Sequence, residues 1–160
     1  MQLPSSVSTR LQYQHKSLLD LIDGLSDEEI RLHIQPGKWS IFEQIVHLET
    51  YQHTFINRVK QILDGNNPVF EKYSAEADPL FHDHCSSSSR EVIQNLITLR
   101  KELAAGVLSF PETDLVKRGT HPTYGDFTLL QWLNFFLLHE AHHLFCIFKL
   151  SAQITVNKLR

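Results

Sequence analysis

Apolar positions recur along this chain with the period of a helix over four long stretches, and almost nowhere with the two-residue period of a strand. The first stretch runs from about Ser8 to Asp23. There Leu11, Leu18, Leu19, Leu21 and Ile22 form a stripe that ends at Gly24. A short helical turn follows, opened by Ser26 with Glu29 three residues on, the spacing of a capping box. Ser40 and Glu43 repeat that spacing after the loop Gln35-Pro36-Gly37-Lys38-Trp39. They open a second helix that reaches about Leu63, where Asp64-Gly65-Asn66-Asn67-Pro68 breaks it. The Ser86 to Ser89 run leads into a third helix, capped by Ser88 with Glu91 and extending to about Leu108. Thr128 and Gln131 open a fourth that runs to about Leu150. Residues 64–85 and 111–127 read as loops, and loops of this length often border functional sites. With no strand signal, the pattern predicts an all-α four-helix bundle. A chain of 160 residues suits a single domain over residues 1–160.

The fourth helix is apolar nearly all round, which marks it as central and buried. Inside it lies His139-Glu140-Ala141-His142-His143, and His139 and His143 share one stripe with Trp132, Phe136, Cys146 and Leu150. Residues four apart on a helix lie roughly 5–6 Å from one another at Cβ, so two imidazoles can converge on one ion at about 2 Å each. The pentapeptide also matches the H-E-x-x-H signature of zinc proteases. That reading fails on the sequence itself. The residues from Leu144 to Arg160 contain no His, Asp or Glu that could act as the downstream third ligand. A third protein ligand must come from upstream, and Glu140 loses its role as general base.

Composition narrows the function further. The net charge is −3 and Lys and Arg are scattered, so no basic stripe suggests a nucleic-acid partner. No apolar stretch reaches the length of about 20 residues that a membrane helix needs. Two cysteines, Cys85 and Cys146, and a start without signal character suggest a reduced, cytoplasmic protein. Cys146 reads as a small core hydrophobe. Ten histidines is the unusual count, and position has to decide which of them matter.

Upstream, His15, His33, His47, His53, His82, His84 and His121 compete for the third place. A rigid element suits a metal ligand best, which favours His47, two turns inside the second helix. Periodicity argues the other way. The apolar stripe of that helix is Ile41, Ile45, Leu48, Phe55, Val59 and Ile62. His47 lies more than about 90° from it, beside Glu43, Tyr51, Thr54 and Arg58. From spacing alone it is a surface histidine, unless that flank lines a wet cleft. The cluster His82-Asp83-His84-Cys85 reads as loop.

Three stretches resemble a known family, the DinB-like four-helix bundles, which include YfiT-like metal-dependent hydrolases. They are Pro36-Gly37-Lys38-Trp39-Ser40-Ile41-Phe42-Glu43-Gln44-Ile45-Val46-His47-Leu48, then His121-Pro122-Thr123-Tyr124-Gly125-Asp126-Phe127-Thr128-Leu129, then His139-Glu140-Ala141-His142-His143. The likeness spans essentially the whole chain, with the helices in the same order. It implies a divalent metal held by His47, His139 and His143, with the remaining positions open to water or substrate. Members similar to this chain include bacillithiol- and mycothiol-dependent S-transferases, so a low-molecular-weight thiol is an expected substrate class. A homodimer is expected from the resemblance alone.

Three neutral imidazoles leave the double charge of such an ion uncompensated. A Lewis acid of this kind lowers the pKa of bound water toward about 7 or deprotonates a bound thiol. The first route leads to hydrolysis of a small molecule and the second to S-transfer. Imidazole ligation suits several metals, with zinc expected first and nickel second. Glu43 and His142 are the candidate acid–base groups, although Glu43 is also the capping partner of Ser40. Trp39 and Trp132 read as packing residues. Two alternatives to a metalloenzyme stand beside it: a non-catalytic, metal-stabilised binding or stress-response module, and a structural bundle with its histidines satisfied in the core.

Overall fold

Capping chemistry sets the helix starts. In the computed structural model, which describes residues 3–158, Ser26 and Ser40 both complete reciprocal capping boxes, with Glu29 and Glu43 respectively. They open α3 (Asp27–Arg31) and α4 (Ile41–Leu63). The first predicted helix is in fact two, α1 (Ser5–Tyr13) and α2 (Ser17–Ile22), joined by a 3₁₀ turn at Gln14–Lys16. It starts before Ser8 because the Pro4 carbonyl accepts from the backbone N–H groups of Val7 and Ser8. In α2, Leu18 is buried while Leu19, expected in the same stripe, is exposed.

Two apolar clusters fix the direction of each helix. One gathers Leu11, Phe55, Val59, Ile62, Leu103, Val107, Trp132, Leu133 and Leu137. The other gathers Leu18, Ile41, Ile45, Val46, Leu96, Leu144 and Ile147. The C-terminal half of α4 therefore meets the C-terminal half of α6 (Ser89–Leu108), and both meet the N-terminal half of α8 (Leu129–Lys158). So α4 and α6 run one way, and α1–α2 and α8 run the other. Between the clusters lies a polar layer in which Arg100 forms a buried ion pair with Glu140. Gln52 Oε1 accepts from the same guanidinium at 2.8 Å, and Gln14 Nε2 donates to Glu140 at 2.8 Å.

A parallel pair needs a connection that travels back along the bundle. This is why residues 64–85 are not the structureless loop the sequence suggests. They hold a 3₁₀ turn at Ala75–Ala77 and α5 (Pro79–Cys85). The start of α5 was written in the sequence as Asp78-Pro79. The Asp78 side chain accepts from the Leu80 N–H at 2.9 Å, and proline takes the first helical position, where it has no N–H to lose.

The second connection adds a small hairpin to the helical bundle that the pattern predicts. After α7 (Glu112–Leu115), β1 (Arg118–His121) pairs antiparallel with β2 (Gly125–Thr128), with His121 opposite Gly125. Gly125 turns the chain at φ +79°, a conformation glycine adopts without penalty. Gly119 is required by close approach: a Cβ there would lie 2.8 Å from Phe70 and 2.9 Å from Ile62. Its carbonyl accepts from the buried Trp132 indole at 3.0 Å. Thr120 exchanges backbone hydrogen bonds with Pro68 and Phe70, which ties the two long connections together beside α4. Finally, α8 continues to Lys158 rather than ending near Leu150, because Ile154 is buried and Lys158 pairs with Glu29 at 2.8 Å.

Candidate metal centre

His47 on α4 and His139 and His143 on α8 meet in the middle of the bundle. Their Nε2 atoms face one another, with His139 lying 3.0 Å from His47 and 3.1 Å from His143. Spacing alone places His47 at the surface, whereas the resemblance makes it a ligand; it is 5 % exposed. The reason is general to its flank. Tyr51 and Arg58 are buried with it, because the 64–85 connection and the hairpin cover that side of α4. What periodicity reads as a solvated face is the wall of a cavity of about 560 Å³.

The donor set fits a divalent cation. A tetrahedral ion with bonds of about 2.0–2.1 Å separates its ligand nitrogens by about 3.3 Å, near the spacing seen here. Gln44 Oε1 lies 2.6 Å from His143 Nδ1, so that nitrogen carries the proton and its Nε2 presents a lone pair to the cluster. A single N–H on His139 can point at only one of its two neighbours. All three imidazoles are held well below their ordinary 6.5, at about 3, by burial first and then by the charge that neighbouring imidazoles would carry. They are neutral at physiological pH, as ligation requires. Among the described residues these three form the one group of His, Cys, Asp and Glu whose ligand atoms converge closely enough to share an ion.

Aromatic rings hold the cluster in place. Trp39 lies 5.0 Å from His47 and 6.2 Å from His143, ring centre to ring centre, and Tyr51 lies 4.3 Å from His139. Trp39 is therefore part of the site wall rather than remote packing, whereas Trp132 is fully buried. Tyr73, from the 64–85 connection, reaches the same cavity. Its hydroxyl contacts Thr50 at 3.1 Å and Asp78 at 3.0 Å, and burial pushes its pKa upward. Tyr51, Arg58, Tyr73 and Gln44 were missed as site residues. Their signal was their position on the flank of His47 or in the long connection.

The remaining candidates lie elsewhere. Glu43 is spent on its cap and on His33, 2.7 Å away. His142 is exposed, with Nε2 3.9 Å from Cys146 Sγ, and does not line the cavity. Cys146 is only half-buried and lines a second cavity of about 450 Å³ behind Trp39 and Gln44, so it is not a core hydrophobe. Glu140 is the partner of Arg100. His84 is on α5, not in a loop, and pairs with the buried Glu49 at 2.7 Å, which His53 also contacts at 3.1 Å. His82 Nε2 lies 2.9 Å from the Glu76 carbonyl. His121 sits in the hairpin and lines the cavity, its Nδ1 accepting from the Thr123 and Tyr124 N–H groups. His15 is buried away from the cluster.

Residues 10–147 match the DinB superfamily model. The chain belongs to the DinB superfamily. It is 30 % identical over 140 residues to the uncharacterized protein YuaE of Bacillus subtilis (strain 168), covering 77 % of this chain and 83 % of YuaE. Among solved structures it is similar to YfiT from Bacillus subtilis, with a TM-score of 0.81 and 20 % identity. The match covers 94 % of this chain and 86 % of YfiT. YfiT is described as "a probable metal-dependent hydrolase with an unusual four-helix bundle topology". The likeness to YfiT shows that the two chains share a fold. No helix among the described residues is long and apolar enough to cross a membrane.

Proposed function

We propose that this DinB-superfamily protein is a metalloenzyme in which His47, His139 and His143 hold one divalent ion, zinc first and nickel second, and act on a small molecule. The observation that carries the reading is the convergence of three neutral imidazoles, two of which, His47 and His139, line a cavity of about 560 Å³. Structural zinc sites are closed by four protein ligands, whereas catalytic ones keep a position open. Three ligands beside a cavity match the second kind. A bound ion would supply Lewis acidity, activating water for hydrolysis or a thiol for S-transfer.

The protein's own residues have separate tasks. Gln44 fixes which nitrogen of His143 faces the cluster. Trp39 and Tyr51 shield the imidazoles from bulk water, which keeps their lone pairs free. The Tyr73 hydroxyl, whose pKa burial raises, keeps its proton at physiological pH and donates it to Asp78 at 3.0 Å, which anchors the ring at the cavity wall.

The test is a cobalt-loaded sample titrated with 2-mercaptoethanol. An open site gives a thiolate-to-cobalt charge-transfer band, which His139→Ala abolishes. A fully loaded protein without that band would sink the enzyme reading in favour of a non-catalytic, metal-stabilised module. That alternative has one observation behind it: neither Glu43 nor His142 reaches the cavity as an acid–base group.

We also propose a cytoplasmic homodimer that buries the exposed stripe of α8 formed by Leu138, Phe145 and Phe148. Light scattering should give twice the 18.6 kDa of one chain, and Phe145→Glu should return it to a monomer. A monomeric wild type would refute this assembly.

A further inference from the structure

Two arginines are buried among the described residues, and they are treated differently. Arg100 is 2 % exposed and has Glu140 as its counter-ion. Arg58 is 7 % exposed, and no carboxylate pairs with it among the described residues. One of its nitrogens, Nη2, donates to the Glu71 backbone carbonyl at 2.8 Å. Its guanidinium otherwise faces rings, those of Phe70 at 5.2 Å, Trp132 at 5.5 Å and Tyr51 at 6.0 Å. Ring faces offset part of the cost of burying a cation, and the Tyr51 hydroxyl is a further hydrogen-bond partner of the guanidinium, but none of these neighbours carries a full negative charge. Burying such a charge unpaired is expensive.

Arg58 lines the same cavity as His47 and His139. Tyr51 stands between them, 6.0 Å from the guanidinium and 4.3 Å from the His139 ring. Lys72 adds a second positive charge to the wall. The cavity's own carboxylate, Glu76, lies toward Trp39, where it also borders the second cavity, and it accepts from the Ser74 hydroxyl at 3.0 Å. The cavity is thus cationic at the Arg58 end and metal-binding at the histidine end.

We infer that Arg58 is the missing half of an ion pair completed by the substrate, which is a short-chain carboxylic acid. Its carboxylate sits on the Arg58 fork, and its reactive group reaches the His47 and His139 side of the cluster across the width of Tyr51. Arginine suits this task because its fork matches the two oxygens of a carboxylate. The inference rests on the reading of this cavity as the substrate site, and it gives that site a substrate class.

Calorimetric titration with succinate and with its neutral analogue succinamide tests it, on metal-free and zinc-loaded full-length protein. Succinate should bind at least tenfold more tightly than succinamide. Arg58→Met should remove that preference, and Arg58→Lys, which keeps the charge but not the fork, should retain part of it. Should Arg58→Met fail to fold, as judged by circular dichroism, the wild-type preference and the Arg58→Lys loss decide the matter. Equal binding of the two probes, no binding of either, or wild-type succinate affinity in Arg58→Met would overturn the inference. Zinc content measured on the same samples keeps the outcomes separate. A protein that prefers succinate but takes up no metal contradicts the metal site and leaves the carboxylate site standing.

Discussion

His15 shows at the residue scale how a histidine can be buried without serving a site. It is 3 % exposed, neither ring nitrogen has a hydrogen-bond partner, and it sits near Arg100, Lys16 and Lys101. Burial, helped by those cations, pushes its pKa down from 6.5 to about 4. The folded state therefore resists a proton that the unfolded chain accepts. Its contribution to stability is fully present above pH 6.5 and is lost as pH falls from 6.5 toward 4. The loss is on the order of 1–3 kcal/mol. His15→Leu should flatten that part of the acid limb in urea unfolding curves collected between pH 7 and pH 4. Parallel pH profiles for wild type and variant would contradict the assignment. His47 teaches the complementary lesson. Its helical phase was readable, but whether that phase met solvent or a cavity depended on residues 64–85 folding over it.

Elements carry most of what could be read from the sequence. The starts of α3, α4, α6 and α8 follow from Ser26, Ser40, Ser88 and the Thr128–Gln131 pair, because a capping hydrogen bond is local chemistry. The α8 pair His139 and His143 was legible for the same reason: one helical turn fixes their relation. The two strands were not, since four-residue segments carry no usable alternation and are held by the Trp132 indole and by Phe70 and Pro68. Nor was α5, because a helix of 7 residues is too short for its period to show, even though Asp78-Pro79 marks its start. The Arg100–Glu140 pair joins α6 to α8 and was equally invisible, being a tertiary match between two ordinary surface residue types. Arg100→Met should destabilise the fold by about 3–5 kcal/mol, because Glu140 is left charged and buried. Chemical denaturation checks this, and a loss below about 1 kcal/mol would show that the layer is not held by that pair.

At the scale of the molecule, one topological choice explains both the fold and the site. Because α4 and α6 run parallel, their connection must return along the bundle, and it passes over the polar flank of α4. Hydrogen bonds from Thr120 to Pro68 and Phe70 lock that connection to the hairpin. Between them they enclose the cavity into which His47, His139, Tyr51, Arg58 and Tyr73 face. An ordinary antiparallel bundle with short loops would leave the same histidines under solvent. In the proposed site three of the ten histidines hold one ion. Plasma mass spectrometry of the untagged protein, in wild type and in His47→Ala, tests this most directly. The expected result is about one zinc or nickel per chain in wild type and none in a folded His47→Ala variant. A wild type that takes up no metal after incubation with both ions, or a variant that keeps its full share, would contradict it.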